Sequence, residues 1–389
     1  MKTAEKILWG LGGIAFLIGL VGLYQRWATG HTQAAYGTYV PWGLWVAMYI
    51  FLVGVASGAF MFATLDLLFN LPLFKGTGCT ALWVSLVSLG MGLFQIWVDL
   101  GRPERIWRVY LQPDLLESVM AQIVWGYTLF GLLALIALAL ATRNPGSGWL
   151  KGLIIAGLPL SLFLSGGVGA LLGVASSRPF WHVGLFPAQF PVFALASGAA
   201  VMLVVIGFFG DPHDERRGQQ LWVLALATAA LQVVKLYLLW ADYSQSLYGG
   251  VPENVAAIRE VLFGPYWWAF WIIQIGVGSL VPLVILVQPK LARHNGWAAW
   301  AGLFVLVGFA VARATILFPA LTVPEFEELR MAYTGPGLNF TYFPTLTEWL
   351  LTLWTLAGGL LAFLVGYRFL LQRSSPASAA EPKPMQAGD

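Results

Sequence analysis

The 389-residue chain has one cysteine, four histidines and few charges. A lone thiol, Cys79, forms no internal disulfide. Nor can it hold an iron–sulfur cluster, which normally takes four protein ligands. His31, His182, His213 and His294 all lie outside or at the ends of the apolar runs. A membrane b-type haem takes axial ligands from inside helices, normally histidines. The expectation is no haem, no iron–sulfur cluster and no metal in this chain. Only 10% of residues are charged, against about 25% in soluble globular proteins. A net charge of +3 gives no sign of a nucleic-acid partner.

What the chain does have is apolar length. Hydrophobic residues make up 59%, and the mean hydropathy is +0.75. A water-soluble core of this size cannot hide so much apolar surface, so lipid must solvate it. The 19 Trp suit bilayer interfaces, and the 44 Gly suit close helix packing. Ten apolar runs follow one another: Ile7–Tyr24, Trp42–Phe69, Cys79–Leu100, Met120–Ala141, Trp149–Val174, Gln189–Phe209, Leu221–Trp240, Tyr266–Val287, Trp297–Leu317 and Thr347–Leu371. Each reaches or approaches the ~20 residues that cross the hydrocarbon. This predicts an all-α polytopic integral membrane protein of about ten transmembrane helices. The first run is long for a signal peptide and lacks a small-residue cleavage site, so it reads as a retained helix. Residues 1–373 then form the membrane domain. The Ser-, Ala- and Pro-rich stretch Ser374–Asp389 reads as a disordered cytoplasmic tail.

Ten spans put both termini on one side. That side collects 12 Lys and Arg and the other 7, with Lys235 and Arg313 inside the spans. The positive-inside rule then makes both termini cytoplasmic, in a bacterial cytoplasmic membrane. The long loops 101–119, 175–188, 241–265 and 318–346 all fall on the opposite, outer side. Their polar and aromatic content suits either partner docking or a lid over the bundle. Ala56-Ser57-Gly58-Ala59 in the second run recurs as Ala196-Ser197-Gly198-Ala199 in the sixth. Two related four-helix bundles, runs two to five and six to nine, would follow from such a repeat.

Ionisable groups inside a membrane are functional candidates by default. Here they are Asp66, Asp99, Lys235, Asp242, Arg313 and Glu348. All but Asp66 fall in the outer half, and His182 lies in an outer loop. The shared depth suggests one site near the outer face. Oxidising a quinol there needs proton acceptors and hydrogen-bond donors to the ring oxygens. Asp99, His182 and Glu348 suit the proton path. Lys235 and Arg313 suit stabilisation of a carboxylate or a quinone oxygen. Tyr39, Trp42 and Trp181 suit the entrance. Simpler roles stand beside these. Asp99 and Arg102 can form an interfacial ion pair, Lys235 can snorkel, and Glu348 can serve a helix dipole.

The motifs Val40-Pro41-Trp42-Gly43, Val53-Gly54-Val55-Ala56-Ser57-Gly58 and Asp99-Leu100-Gly101-Arg102-Pro103, with Ile106-Trp107 and Pro113 to Ser118, carry a resemblance. The chain resembles the NrfD/PsrC membrane subunits of respiratory complexes, in particular their ten-helix HybB/DsrP-like branch. The resemblance implies an exchangeable menaquinone or ubiquinone near the outer face and no redox cofactor in the chain itself. It implies electron exchange with a periplasmic-side ferredoxin-like iron–sulfur subunit and further redox subunits. Asp99 and Arg102 are the site residues it points to. Proton translocation is a further use of such a subunit. The rival readings are a secondary transporter, whose charges would lie at the midplane, and a structural anchor without a quinone site.

Overall fold

The computed structural model describes residues 3–368 apart from positions 113, 327, 334 and 336. Pro113, residues 369–373 and the expected tail 374–389 lie outside the described residues. Among the described residues, ten helices are long and apolar enough to cross a membrane. They are α1 Thr3–Thr29, α2 Leu44–Leu67, α3 Gly78–Asp99, α4 Val119–Arg143, α5 Gly148–Gly173, α6 Phe186–Phe209, α7 Arg217–Gly249, α8 Ala269–Leu286, α9 Asn295–Thr322 and α10 Leu346–Gly366. Among the same residues there is no strand. A helix satisfies its own backbone groups, as hydrocarbon demands.

The spans pack as two four-helix rings. In one, α2 touches α3 and α5, and α4 closes the ring; in the other, α6 touches α7 and α9, and α8 closes it. The fully apolar α2 is the core, and every residue from Leu44 to Thr64 is buried. A helix that is apolar all round needs protein or lipid on every side. The repeated Ala-Ser-Gly-Ala segments are where the rings meet. A methyl added to Gly58 would overlap the Ala194 carbonyl oxygen, and one on Gly198 would overlap the Gly58 carbonyl group. Only hydrogen fits at this crossing. Outside the rings, α1 lies against α10, and α10 against α3.

Several boundaries differ from the sequence reading. The chain enters α2 at Leu44 rather than Trp42. The run expected at Leu221–Trp240 extends to Gly249 and stops where Gly250 turns left-handed at φ +69°. Asp242 is therefore a buried helical residue, not one beyond the helix. The expected loop 241–265 is largely helical, because Pro252 starts a further helix, Pro252–Leu262. The first 12 residues of α8, Ala269–Leu280, are wound as a π-helix. Pro282 has no N–H for the Gly278 carbonyl one α-turn back. The Gln232 amide donates to that carbonyl instead, at 2.9 Å.

Gly58→Val and Gly198→Val are expected to lower the thermal midpoint of the detergent-purified chain at least as much as ordinary overpacking, about 1–3 kcal/mol. Gly90→Ala, whose added methyl meets nothing within 4 Å, should hold or gain up to about 1 kcal/mol. Tryptophan fluorescence melting reads both. A wild-type midpoint in Gly198→Val would contradict the crossing.

Candidate functional site

The helix α3 ends at Asp99, where its last carbonyls lose their helical partners. Arg26, at the end of α1, supplies new ones. Its Nε donates to Val98 O at 2.7 Å and its Nη2 to Leu100 O at 2.8 Å. The guanidinium is buried at the negative end of the α3 dipole.

The connection from Gly30 to Gly43 folds over this end and brings four rings with it. The His31 and Tyr36 rings are 5.4 Å apart, and Tyr36 stands edge-on to Trp45 at 5.9 Å. Tyr39 stacks on Phe340 at 4.5 Å, and Trp42 on Trp181 at 5.6 Å.

Glu348 fastens this connection to α10. It forms a capping box with Thr345, so the dipole role holds. Its carboxylate does much more. Oε1 accepts from the Ala35 N–H at 2.9 Å and the Thr345 N–H at 3.3 Å. Oε2 accepts from the Leu44 N–H at 3.3 Å and from the Tyr342 hydroxyl in a short bond. The Tyr342 oxygen itself accepts from the Leu44 N–H at 2.6 Å. Gly43 allows this approach. A methyl there would meet the Tyr342 hydroxyl at 2.5 Å and Glu348 Oε2 at 2.7 Å. The Val40-Pro41-Trp42-Gly43 motif thus brings a backbone against a buried carboxylate.

Asp99 is placed differently. Its carboxylate lies beside the Tyr36 hydroxyl. The hydroxyl is aimed at the carboxylate at longer than ordinary hydrogen-bond range, and Asp99 Oδ1 and His31 Nε2 have no close hydrogen-bond partner. One turn inward on α3, both amide atoms of buried Gln95 are unpaired. Burial, and then the positive Arg26, hold the His31 ring below its usual range. The ring is neutral at pH 7, with one nitrogen to donate and one to accept. Burial, with the Asp99 charge behind it, pushes the Tyr36 hydroxyl well above its usual range. Tyr36 therefore keeps its proton and acts as a donor. The arrangement offers a neutral donor, a neutral ring and a free carboxylate oxygen at one place.

The other expected residues do not join this cluster. Lys235 and Arg313 lie in the second ring. Lys235 Nζ donates to Ser279 Oγ at 2.8 Å and stands 4.8 Å from the Phe309 ring centre. Arg313 sits 3.8 Å from the Phe190 ring centre and 5.1 Å from that of Phe193, with Nη1 unpaired. Lys235 is fully buried and does not snorkel. Trp181 Nε1 donates to Ile316 O at 2.8 Å. His182 is exposed and its Nδ1 contacts Gly173 O at 2.6 Å. Arg102 is exposed and faces Glu104 at 3.9 Å, so the expected ion pair with Asp99 does not form. Asp66 Oδ2 accepts from the Gly76 and Gly78 N–H groups at 2.9 and 2.8 Å, tying the turn between α2 and α3.

Four residues of the cluster are not among the sequence candidates for the site: Arg26, His31, Tyr36 and Tyr342. Arg26 ends an apolar run and looks interfacial. The other three lie in connections, where no periodicity assigns them a face.

Fold and site together define a multi-pass helical membrane protein with a buried polar cluster beneath one face. Residues 32–325 match the family described as polysulphide reductase, NrfD, and the chain belongs to that family. It is 32% identical to a selenate reductase subunit of Mesobacillus selenatarsenatis, over 89% of each chain. It is 25% identical to the Hdr-like menaquinol oxidoreductase integral membrane subunit of Archaeoglobus fulgidus, covering 85% of this chain and 84% of that one. It is 21% identical to the integral membrane subunit of menaquinone reductase of Nitratidesulfovibrio vulgaris, over 90% and 88% of the two chains. The family match starts after α1 and stops before α10. Asp99 and Tyr36 fall inside it; Arg26, His31, Tyr342 and Glu348 fall outside.

Glu348→Gln places an amide N–H₂ against groups that already donate. Each stranded group costs about 1–3 kcal/mol, so this variant should melt well below wild type. Asp99→Asn, with Oδ1 already unpaired, should melt close to wild type. Equal losses in the two would contradict the division between clamp and free carboxylate.

Proposed function

We propose that this chain is the quinol/quinone-binding membrane subunit of a respiratory oxidoreductase complex. It exchanges electrons between the membrane quinone pool and a ferredoxin-like iron–sulfur subunit on the periplasmic side. The observation that carries this reading is the set of three buried polar atoms at one place that make no close hydrogen bond to the protein: Asp99 Oδ1, Tyr36 Oη and His31 Nε2. In a low-dielectric interior such atoms call for a ligand or water. A quinol ring, when bound, supplies two electrons and two protons. Tyr36 and His31 fit hydrogen bonds to its oxygens, and Asp99 fits the role of proton acceptor. Arg26 holds the end of α3, and so Asp99, in position.

Two further features support a lipid-borne ligand. Rings line the seam between α1, α3 and α10 in continuous contact. Trp27 meets Trp97 at 5.5 Å, Trp97 meets Phe94 at 5.9 Å, and Phe94 meets Trp354 at 5.0 Å. Trp27 is exposed at the outer edge of this seam, which suits entry of an apolar tail from the bilayer. Relatives described as menaquinol oxidoreductase and menaquinone reductase membrane subunits favour menaquinone over ubiquinone. The loops on the same side as the cluster expose Leu116, Phe263, Phe326 and Met331. Exposed apolar groups beyond the ends of the spans suit a protein partner. With the basic residues inside, this is the periplasmic face and both termini are cytoplasmic, in a bacterial inner membrane.

The test is quinone binding and quinol-dependent electron transfer in the purified complex. Wild type is expected to bind menaquinone stoichiometrically. Asp99→Asn should slow electron transfer by about 10²–10⁴, the usual contribution of a positioned proton acceptor, without unfolding. No quinone binding in a well-folded, lipid-replete preparation would remove this reading.

The pH profile gives a second check. His31 sits below its ordinary value of 6.5, so its neutral form persists at pH 6.5 and below. Protonation on lowering the pH removes its accepting nitrogen. An acid limb belonging to His31 should therefore fall below pH 6.5 and disappear in His31→Gln. A limb unchanged in that variant would assign it to another group.

A further inference from the structure

The quinone reading uses Asp99, Tyr36 and His31 and leaves a second set of unpaired polar atoms beneath them. Gln95 is fully buried, and neither its amide nitrogen nor its amide oxygen has a hydrogen-bond partner. It stands four residues before Asp99, on the same face of α3 and about one helical turn, 5.4 Å, inward. Buried Thr352 stands in the same relation to Glu348 on α10, and its Oγ1 is also unpaired.

Contacts on either side place Gln95 and Thr352 in one layer. Outward of it, Asp99 and Glu348 are close enough for their charges to repel. Val98 and Leu351 share a packed cluster there with Trp45 of α2. Inward of it, Met91 lies against Gly359, so α3 and α10 remain in contact. Around α3, Gly92 faces α2, where an added methyl would meet Val53 Cγ1 at 2.8 Å. Met91 and Val98 face α10. At 3.6 residues per turn Gln95 falls between these two directions, toward the junction of α2, α3 and α10. The contact of Phe94 with Trp354, at 5.0 Å, borders the same layer on the side of the aromatic seam. An apolar side chain of the same shape would serve the fold as well as an unpaired amide, and buried polar atoms left without partners call for a ligand or water.

We propose that the Gln95 amide is the inner ligand of the quinone ring, bonding the oxygen opposite the one held at Asp99. The inference rests on the quinone reading above and adds a binding residue to it. The two oxygens of a para-quinone lie about one helical turn apart, the spacing of Asp99 and Gln95. An amide suits both redox states. Its Nε2 donates to a quinone carbonyl, and its Oε1 accepts from a quinol hydroxyl. Turning the amide over exchanges the two without a change of charge, and no proton or electron moves at this residue. A carboxylate in its place only accepts and would favour the quinol; an ammonium only donates and would favour the quinone. The Thr352 hydroxyl, which both donates and accepts, stands beside it for the same oxygen.

The test is binding of menaquinone, carbon-13-labelled at each ring carbonyl in turn, to the purified complex after its own quinone is removed. Titration gives the Kd, and infrared difference spectra give the two carbonyl bands. Wild type should show both bands displaced by hydrogen bonding. In Gln95→Met and Gln95→Leu one band should return to its unbonded position and the other stay displaced. The Kd should rise about 5- to 100-fold, the cost of one buried oxygen left without a partner. Both variants should melt at or above wild type when free of quinone. Wild-type affinity and bands in both would overturn the proposal and leave the quinone reading intact. Weaker binding with both bands unmoved would make Gln95 a packing residue and overturn it too. A large loss of thermal midpoint in both variants would tie the amide to the fold and overturn it likewise. Should one variant alone fail to fold, the other decides. No menaquinone binding by wild type would remove both readings.

Discussion

Hydrocarbon supplies no hydrogen-bond partner, so a carboxylate buried at the head of a membrane helix has to find its donors in the protein. Glu348 does so by drawing in distant parts of the chain. Its two oxygens accept from Ala35 and Leu44 on one side and from Tyr342 and Thr345 on the other. These bonds fix the connection between α1 and α2, the start of α2 and the start of α10 in one place. Trp45 Nε1 adds a fifth link, to the Glu348 carbonyl at 3.2 Å. The rings of His31, Tyr36, Tyr39 and Trp42 take their positions from this knot, because all four lie on the connection it holds.

Two carboxylates near each other then have opposite environments, the arrangement by which one site separates roles. Glu348 has its acceptor positions filled by donors. Asp99 has a free oxygen beside a protonated tyrosine. The first is suited to holding the fold and the second to exchanging a proton. Arg26 keeps the two apart in function, since it ties down the helix end that carries Asp99 through backbone carbonyls and leaves the carboxylate free.

The sequence showed the spans plainly, because apolar length is a one-dimensional signal. It also showed which charges are buried, since Lys235, Arg313 and Glu348 interrupt apolar runs. Their place in the bundle could not be read from it. Lys235 lies midway along a helix of the second ring and Glu348 at the head of α10, and only the extended α7 and the packing show this. The loops were less legible still. Tyr36 and His31 have no periodic neighbours to assign them a face, and Gly43 explains its motif only once Tyr342 and Glu348 are seen against it. The π-helix in α8 was also hidden. Pro282 signals a disturbance in the helix, but its form depends on Gln232 of another helix reaching the Gly278 carbonyl.

The family match covers residues 32–325 and thus the two four-helix rings. Asp99 belongs to those rings, and Tyr36 to the connection that leads into them, so both lie within the match. His31 stands one residue before it. The residues that surround and fix these groups, Arg26 and Glu348, come from α1 and α10, which lie outside the match. These two helices pack tightly on each other. A methyl on Gly19 would meet the Trp354 backbone at 2.6 Å, and one on Gly22 the Leu351 nitrogen at 2.5 Å. Such close approach makes the pair one unit, and its outer end is where Arg26 and Glu348 are displayed. The ring system therefore carries the free carboxylate, and the flanking pair sets its electrostatic surroundings and the aromatic seam toward lipid. A change in how α1 and α10 pack would alter the surroundings of Asp99 without touching the rings at all.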